Sequence, residues 1–254
     1  MARWSAIIWI LAAIPLVAHS QVNRIKSASK AYGSSEKSGR GFFGSSLDFL
    51  LYAPRHEYKE VQTYREPDST FNDRCALKFS VETLGDVGVK TGGGYIFWPR
   101  VRANFGIFST DYRVNYMVEK EASGAKTTLR TNDWQMLHLN IFSTSLIDLR
   151  VGGGIMYEIF GDHYQYPEFT AGLGIHAPDL SRIFYLEYRN ATDAGNSIRR
   201  EWSATYQLMF FHLAQLHGYI GLGLTYQQYY GSIDILTLQA GLAFRIFRDP
   251  SNKY

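Results

Sequence analysis

The residues best suited to chemistry are Asp162 and His163, adjacent in a polar stretch with Glu158 and Glu168 close in sequence. An imidazole oriented by a carboxylate acts as a general base when a nucleophile or a water lies within hydrogen-bond reach. The spacing therefore offers hydrolysis, although an Asp-His dipeptide has low specificity and a rim histidine is ordinarily just hydrated. Metal chemistry has less to start from. Ligand sets need several His, Cys or carboxylates at set spacings, whereas His212 and His217 flank a turn-like stretch and Cys75 is the single cysteine. No metal site and no cofactor are expected. Gly92-Gly93-Gly94 and Gly152-Gly153-Gly154 lack the strand–loop–helix setting of nucleotide sites, and Val89-Lys90-Thr91 is not preceded by the glycine pattern of a phosphate loop. Asn190-Ala191-Thr192 spells a glycosylation sequon, a reading that needs a eukaryotic secretory route which nothing else supports.

A larger charged set consists of Arg100, Arg102, Asp111, Arg113, Glu119, Asp148, Arg150, Glu158, Glu168, Glu187, Arg189, Glu201 and Arg245. Both signs occur in similar number, and every member falls on the polar side of an alternating apolar/polar run. Such a set can pair with itself and fill an interior, or it can line a narrow polar pore or ligand site. Which of these applies depends on the elements that carry it.

Those elements begin after an export signal. Met1-Ala2-Arg3-Trp4-Ser5 leads into an unbroken apolar run from Ala6 to Ala18, and Ala18-His19-Ser20 precedes Gln21. This is the three-part pattern of a cleaved secretory signal, with the cut expected after Ser20. The run is shorter than the ~20 residues a helix needs to cross a bilayer. The site carries no cysteine for a lipid anchor, and a lone cysteine allows no internal disulfide. Residues 21–73 read as a flexible leader and periplasmic pre-barrel segment. Its start is rich in Ser, Lys, Gly and Ala, Gly41–Tyr52 is an apolar patch of undefined structure, and Ala53–Asp73 is highly charged. A net charge of +3 makes no case for nucleic acid.

From residue 74 the pattern alternates with period two, the mark of strands with two unlike faces. Ten runs are expected, at 76–84, 95–107, 110–119, 134–142, 146–158, 165–175, 183–190, 200–210, 218–228 and 234–247. No apolar face contains Asp, Glu, Lys or Arg; one such face carries Phe97, Val101 and Phe105, another Leu236, Leu238 and Leu242. A soluble barrel or sandwich alternates in the same way, with its apolar face inward. Three features favour lipid outside. Glycines alternate on the polar faces, as at Gly152/Gly154, Gly172/Gly174 and Gly221/Gly223, which suits a crowded lumen. Apolar faces end in aromatics, with Phe97, Tyr157, Tyr188, Trp202 and Tyr226 at one end and Phe105, Tyr112, Phe210 and Phe244 at the other. Links after odd-numbered runs tend to be longer and more polar than those after even ones, as cell-surface and periplasmic links are. The long apolar link Phe210–Gly218 spoils that rule.

Over residues 74–247 the chain resembles the small Gram-negative outer-membrane β-barrel proteins. The segment Pro99–Gly106 with Phe108–Arg113 looks like a hairpin of an uncharacterised family of them. The resemblance implies an all-β, antiparallel, up-and-down transmembrane barrel of about ten strands, eight and twelve staying open, followed by a tail at 248–254. It also implies residence in the outer membrane, contact with its lipid and lipopolysaccharide, and insertion by the barrel-assembly machinery. The expected role is structural, assembly-supporting or porin-like with a narrow pore, and not enzymatic. The alternatives are a surface hydrolase using Asp162 and His163, or a soluble periplasmic ligand-binding barrel. The His-Ser pairing of outer-membrane lipases is absent, since His138 precedes Leu139 and His212 precedes Leu213. Such barrels commonly finish on an aromatic residue, whereas here Phe247 is followed by Arg248–Lys253 before Tyr254.

Overall fold

The chain forms a closed barrel of ten antiparallel strands, seen in a computed structural model. It is described for residues 21–35 and 79–248, apart from short stretches at 91–92, 106, 121–123, 144–145, 161–162 and 214–215. The strands are β1 (Phe79–Lys90), β2 (Tyr95–Phe105), β3 (Phe108–Lys120), β4 (Lys126–Ser143), β5 (Ile147–Glu158), β6 (Gln165–His176), β7 (Arg182–Asp193), β8 (Asn196–Leu213), β9 (Leu216–Tyr229) and β10 (Ile233–Arg248). Each pairs with its sequence neighbours, and β1 closes on β10 from Phe79↔Arg248 to Lys90↔Thr237. Closure leaves no unpaired edge, which is how a sheet with an apolar exterior satisfies its own backbone. The expected count of ten is the observed one.

Strand limits differ where the sequence reads as link. The stretch around Asn190–Arg199 contains a two-residue turn: Ala194 and Gly195 both have positive φ (46° and 87°), and Asp193 pairs with Asn196. Paired positive φ values match the twist of a tight hairpin, so the polar residues on both sides belong to strands. Likewise, 210–213 and 216–218 of the apolar link belong to strands, with His212↔His217 and Leu213↔Leu216 paired. Strand extension absorbs most of the expected contrast in link length. The signal region 1–20, Cys75, residues 36–73 and the tail from 249 lie outside the described residues.

Outward side chains are apolar over the middle of the strands. Val101 is 49% exposed, Leu149 38%, Leu238 50% and Trp202 59%. Charged and polar side chains point inward and are buried, among them Arg113, Asp133, Arg189, Arg199 and Glu201. The soluble-barrel alternative requires the opposite arrangement, and this partition does not favour it. Aromatic residues flank the outer belt. Tyr188 packs on Trp202 with ring centroids 4.4 Å apart, and Trp202 pairs in register with Tyr226. Phe105, Phe210 and Phe244 lie toward the other end.

One further element was not expected. Gln21–Ser35, read as part of a flexible leader, is a helix, α1. It docks inside the barrel mouth at the end formed by the β1–β2, β3–β4, β5–β6, β7–β8 and β9–β10 links. That is the end opposite to where β1 begins, so this part of the leader is not an extension below the barrel. Val22, Ile25 and Ser29 lie on one face at spacings of three and four, and Asn23, Arg24, Lys30 and Ala31 face out.

Candidate functional site

The lumen has a charged middle and an apolar mouth. In the middle, long side chains converge from β2, β3, β4, β6, β7, β8 and β9. Arg113 donates to Asp133 Oδ2 at 2.6 Å and to Glu201, and Arg199 lies 2.8 Å from the same Asp133 oxygen while pairing with Glu168. Arg100 and Arg102 share Asp111 and Glu187. Arg189 is bonded to Glu187 at 2.8 Å and faces Asp111, Asp133 and Glu168. Gln135 donates to Glu168, and Gln227 to Glu201 at 2.7 Å.

Toward the end where β1 begins, Arg245 approaches Glu82 and stacks over Tyr219 at 4.6 Å, and Arg150 pairs with Asp148 at 2.9 Å. Asp148 also meets His176 Nε2 at 3.4 Å. The two signs balance, which is the condition under which buried charges persist at all, because an uncompensated one is expelled or neutralised.

Glycine makes room for this crowd. A Cβ at Gly152 would collide with the His138 ring, at Gly174 with Asp148, and at Gly241 with Asp86. Their sheet-weakening backbone freedom is offset by the space they yield to long neighbours. A cavity of about 50 Å³ remains between Glu82, Asp86, Trp98, Arg100, Gln207 and Arg245. That is above the roughly 10–15 Å³ a cavity needs on this measure to hold a water, so it has room for water.

α1 packs into the mouth. Val22 and Ile25 pack against Ile96, Trp98, Met117, Leu129, Ile233 and Ile235, which are lumen-facing apolar residues. Tyr32 joins a second cluster around Met156, Tyr166 and Ile198. Several polar contacts fix the helix in place. Glu119 accepts from the backbone nitrogens of Gln21 and Val22, at 3.1 and 2.8 Å. Glu158 accepts from Ser29 Oγ at 2.7 Å and from Tyr230 OH at 2.8 Å. Burial raises the Tyr230 hydroxyl pKa, as does the adjacent Glu158 carboxylate, and so keeps the hydroxyl a donor. Tyr32 OH donates to Asp193 O at 3.2 Å.

The structure thus places the thirteen charges named from sequence in the lumen in different surroundings. Arg100, Arg102, Asp111, Arg113, Glu168, Glu187, Arg189 and Glu201 form the central network, Asp148, Arg150 and Arg245 lie nearer the end where β1 begins, and Glu119 and Glu158 hold the helix. Sequence reasoning missed Glu82, Lys90, Asp133 and Arg199. It also missed the signal for the helix, a set of apolar residues on the wrong face at one end of the barrel.

Of the rim constellation, the described residues include His163, Glu158 and Glu168. His163 is exposed, with φ 57°, while Glu158 and Glu168 turn inward to the partners just given. Asp162 lies outside the described residues. Ser109 and His138 stand opposite in register, but both are buried, and neither side chain has a hydrogen-bond partner among the described residues. No nucleophile–base pair follows from them. Among the described residues no cluster of three metal-ligating side chains occurs.

No protein-family model matches the chain, and no characterised protein matches it in sequence. Among solved structures it is similar to Neisserial surface protein A, at 10% identity over 67% of this chain and 96% of that one, with a TM-score of 0.25. A likeness so loose adds nothing to the strand pairing of the chain itself.

Proposed function

We propose that the chain is an integral outer-membrane barrel with a structural or assembly-supporting role and a lumen too full for solute passage. The observation that carries this reading is the inverted partition: aliphatic and aromatic side chains face out, while compensated ion pairs face in. Exposed apolar area on this scale is stable only against lipid. The export signal supplies the route, and the outer surface supplies contact with lipid and lipopolysaccharide. The barrel-assembly machinery is the partner that such a fold requires. In this reading Phe79, Arg248 and the even-numbered links lie on the periplasmic side, and the mouth closed by α1 faces outward.

Two measurements test the proposal. Fractionation should recover the protein in outer membranes, migrating differently in detergent gels before and after heating; recovery of folded protein in the soluble periplasm would defeat the membrane reading. In planar bilayers the purified barrel should be electrically silent, because network and helix close the path in series. Regular conductance steps would instead support the narrow-pore role.

A further inference from the structure

We propose that Gln21 is the first residue of the processed chain, and that the ammonium group created there by proteolysis is a working part of the lock holding α1 in the mouth. The inference rests on the exported-barrel reading. Its site is the pocket around Glu119, a carboxylate that is 2% exposed although it lies at the end of β3. Three nitrogens converge on it: Gln21 N at 3.1 Å, Val22 N at 2.8 Å and Lys90 Nζ at 3.0 Å. The Gln21 side chain is held too, its Oε1 accepting from Lys90 Nζ at 3.0 Å and its Nε2 donating to the Asp234 carbonyl at 3.0 Å.

The first residue of the helix is therefore gripped at its main chain and at both ends of its side-chain amide. It is also the residue that follows the small-residue pattern Ala18-His19-Ser20. Hydrolysis of the Ser20–Gln21 amide by a signal-removing protease adds one water. Its oxygen goes to the new Ser20 carboxylate, and its two hydrogens join the one already on the Gln21 nitrogen to make an ammonium. A single neutral donor becomes three donors and a positive charge, beside a buried carboxylate that already faces the positive end of a helix. Before cleavage the same contact is only a neutral amide hydrogen bond. Closure of the mouth is thereby tied to completion of export.

The test uses the full-length precursor, expressed and exported, with the barrel purified from membranes. Heat-modifiable migration is checked first, so that failure of the barrel reading shows separately. Intact mass should place the N-terminus at Gln21 with its amine free. A start elsewhere, or a mass lower by one ammonia from cyclisation of Gln21, would overturn the proposal. On brief treatment with acetic anhydride, the Gln21 amine should react roughly tenfold or more slowly than in Glu119→Gln, as expected for loss of a charge-assisted bond. The exposed Lys30 should react alike in both proteins, and equal Gln21 rates would refute the lock. If Glu119→Gln does not fold, a refolded chain with Met-Ala added ahead of Gln21 serves instead, since it alters no barrel residue. Trypsin should cut it after Arg24 and Lys30 several-fold faster than the processed chain, and unchanged cutting would overturn the role of the ammonium.

Discussion

Replacing Asp133 by Asn tests whether the lumen is filled or wet. One oxygen of Asp133 serves Arg113 at 2.6 Å and Arg199 at 2.8 Å, with Arg189 a further 3.8 Å away, and the residue is fully buried. At 2.8 Å and an effective dielectric of ~20, one such contact is worth ~6 kcal/mol before desolvation is counted. Much of that is offset by the cost of burying the ions, and breaking one partner of a buried pair nets about 3–5 kcal/mol. Arg113 keeps Glu201 and Arg199 keeps Glu168, so the lower end, about 3 kcal/mol, is expected for Asp133→Asn. Adding Arg199→Gln restores charge balance, and the double variant should recover at least ~1.5 kcal/mol relative to the sum of the singles. The assay is reversible urea unfolding in lipid vesicles, followed by tryptophan fluorescence. A loss below ~1 kcal/mol with no coupling is the behaviour of exposed ion pairs. That result would mean the lumen is open to water and would refute a filled barrel.

Three other groups of substitutions probe the remaining parts. Arg at Val101, Leu149 or Leu238, all outward-facing, should each cost about 2–4 kcal/mol near the bilayer midplane; equal stability in vesicles would mean the faces are assigned the wrong way round. Gly152→Ala drives a methyl into the buried His138 ring, whereas Gly153→Ala points into open space. The first should cost roughly 1–3 kcal/mol as overpacking does and the second far less, and parity in urea midpoints would contradict a crowded lumen. Ile25→Asp puts a charge into the fully buried helix contact and should release α1. Trypsin should then cut after Arg24 and Lys30 while the barrel keeps its heat-modifiable migration; unchanged protection would show that α1 does not depend on that contact.

The alternation of outward and inward residues was legible because the middle of each strand lies between two contrasting environments. Leu236, Leu238 and Leu242 against Thr237, Gln239 and Gly241 need no structure to be sorted. At strand ends the contrast fails. On β4, Lys126, Thr128 and Arg130 face outward beyond the apolar belt while Leu129 faces inward against the helix. Polar and apolar residues there exchange sides, and period-two reading stops short. Asp133 and Arg199 were lost for this reason: each sits just outside a recognised run, in residues that read as link. Lys90 went the same way, at the far end of β1. The acidic neighbours of the rim histidine part from it for another reason. Asp162-His163 has its acidic neighbours in sequence, but strand parity turns Glu158 and Glu168 into the lumen, away from the link that carries His163.

Nothing in α1 alone announces its place. A helix of this length is marginal in water by itself, and among its described residues Val22 and Ile25 are the fully buried aliphatic anchors. The information lies in the barrel. Ile96, Met117, Leu129 and Ile235 are fully or almost fully buried although they point into the lumen, where their neighbours farther along the strands are Arg100, Arg113, Asp133 and Gln239. Left facing water, each would forgo roughly 1.5–3 kcal/mol of burial. A lumen with an apolar collar at one mouth and two buried carboxylates beside it, Glu119 and Glu158, is shaped for an amphipathic insert. That insert must bring donors at one end and a hydroxyl in its middle. Gln21–Ser35 meets both demands, so closure is a property built into the strands and not an accident of a nearby leader.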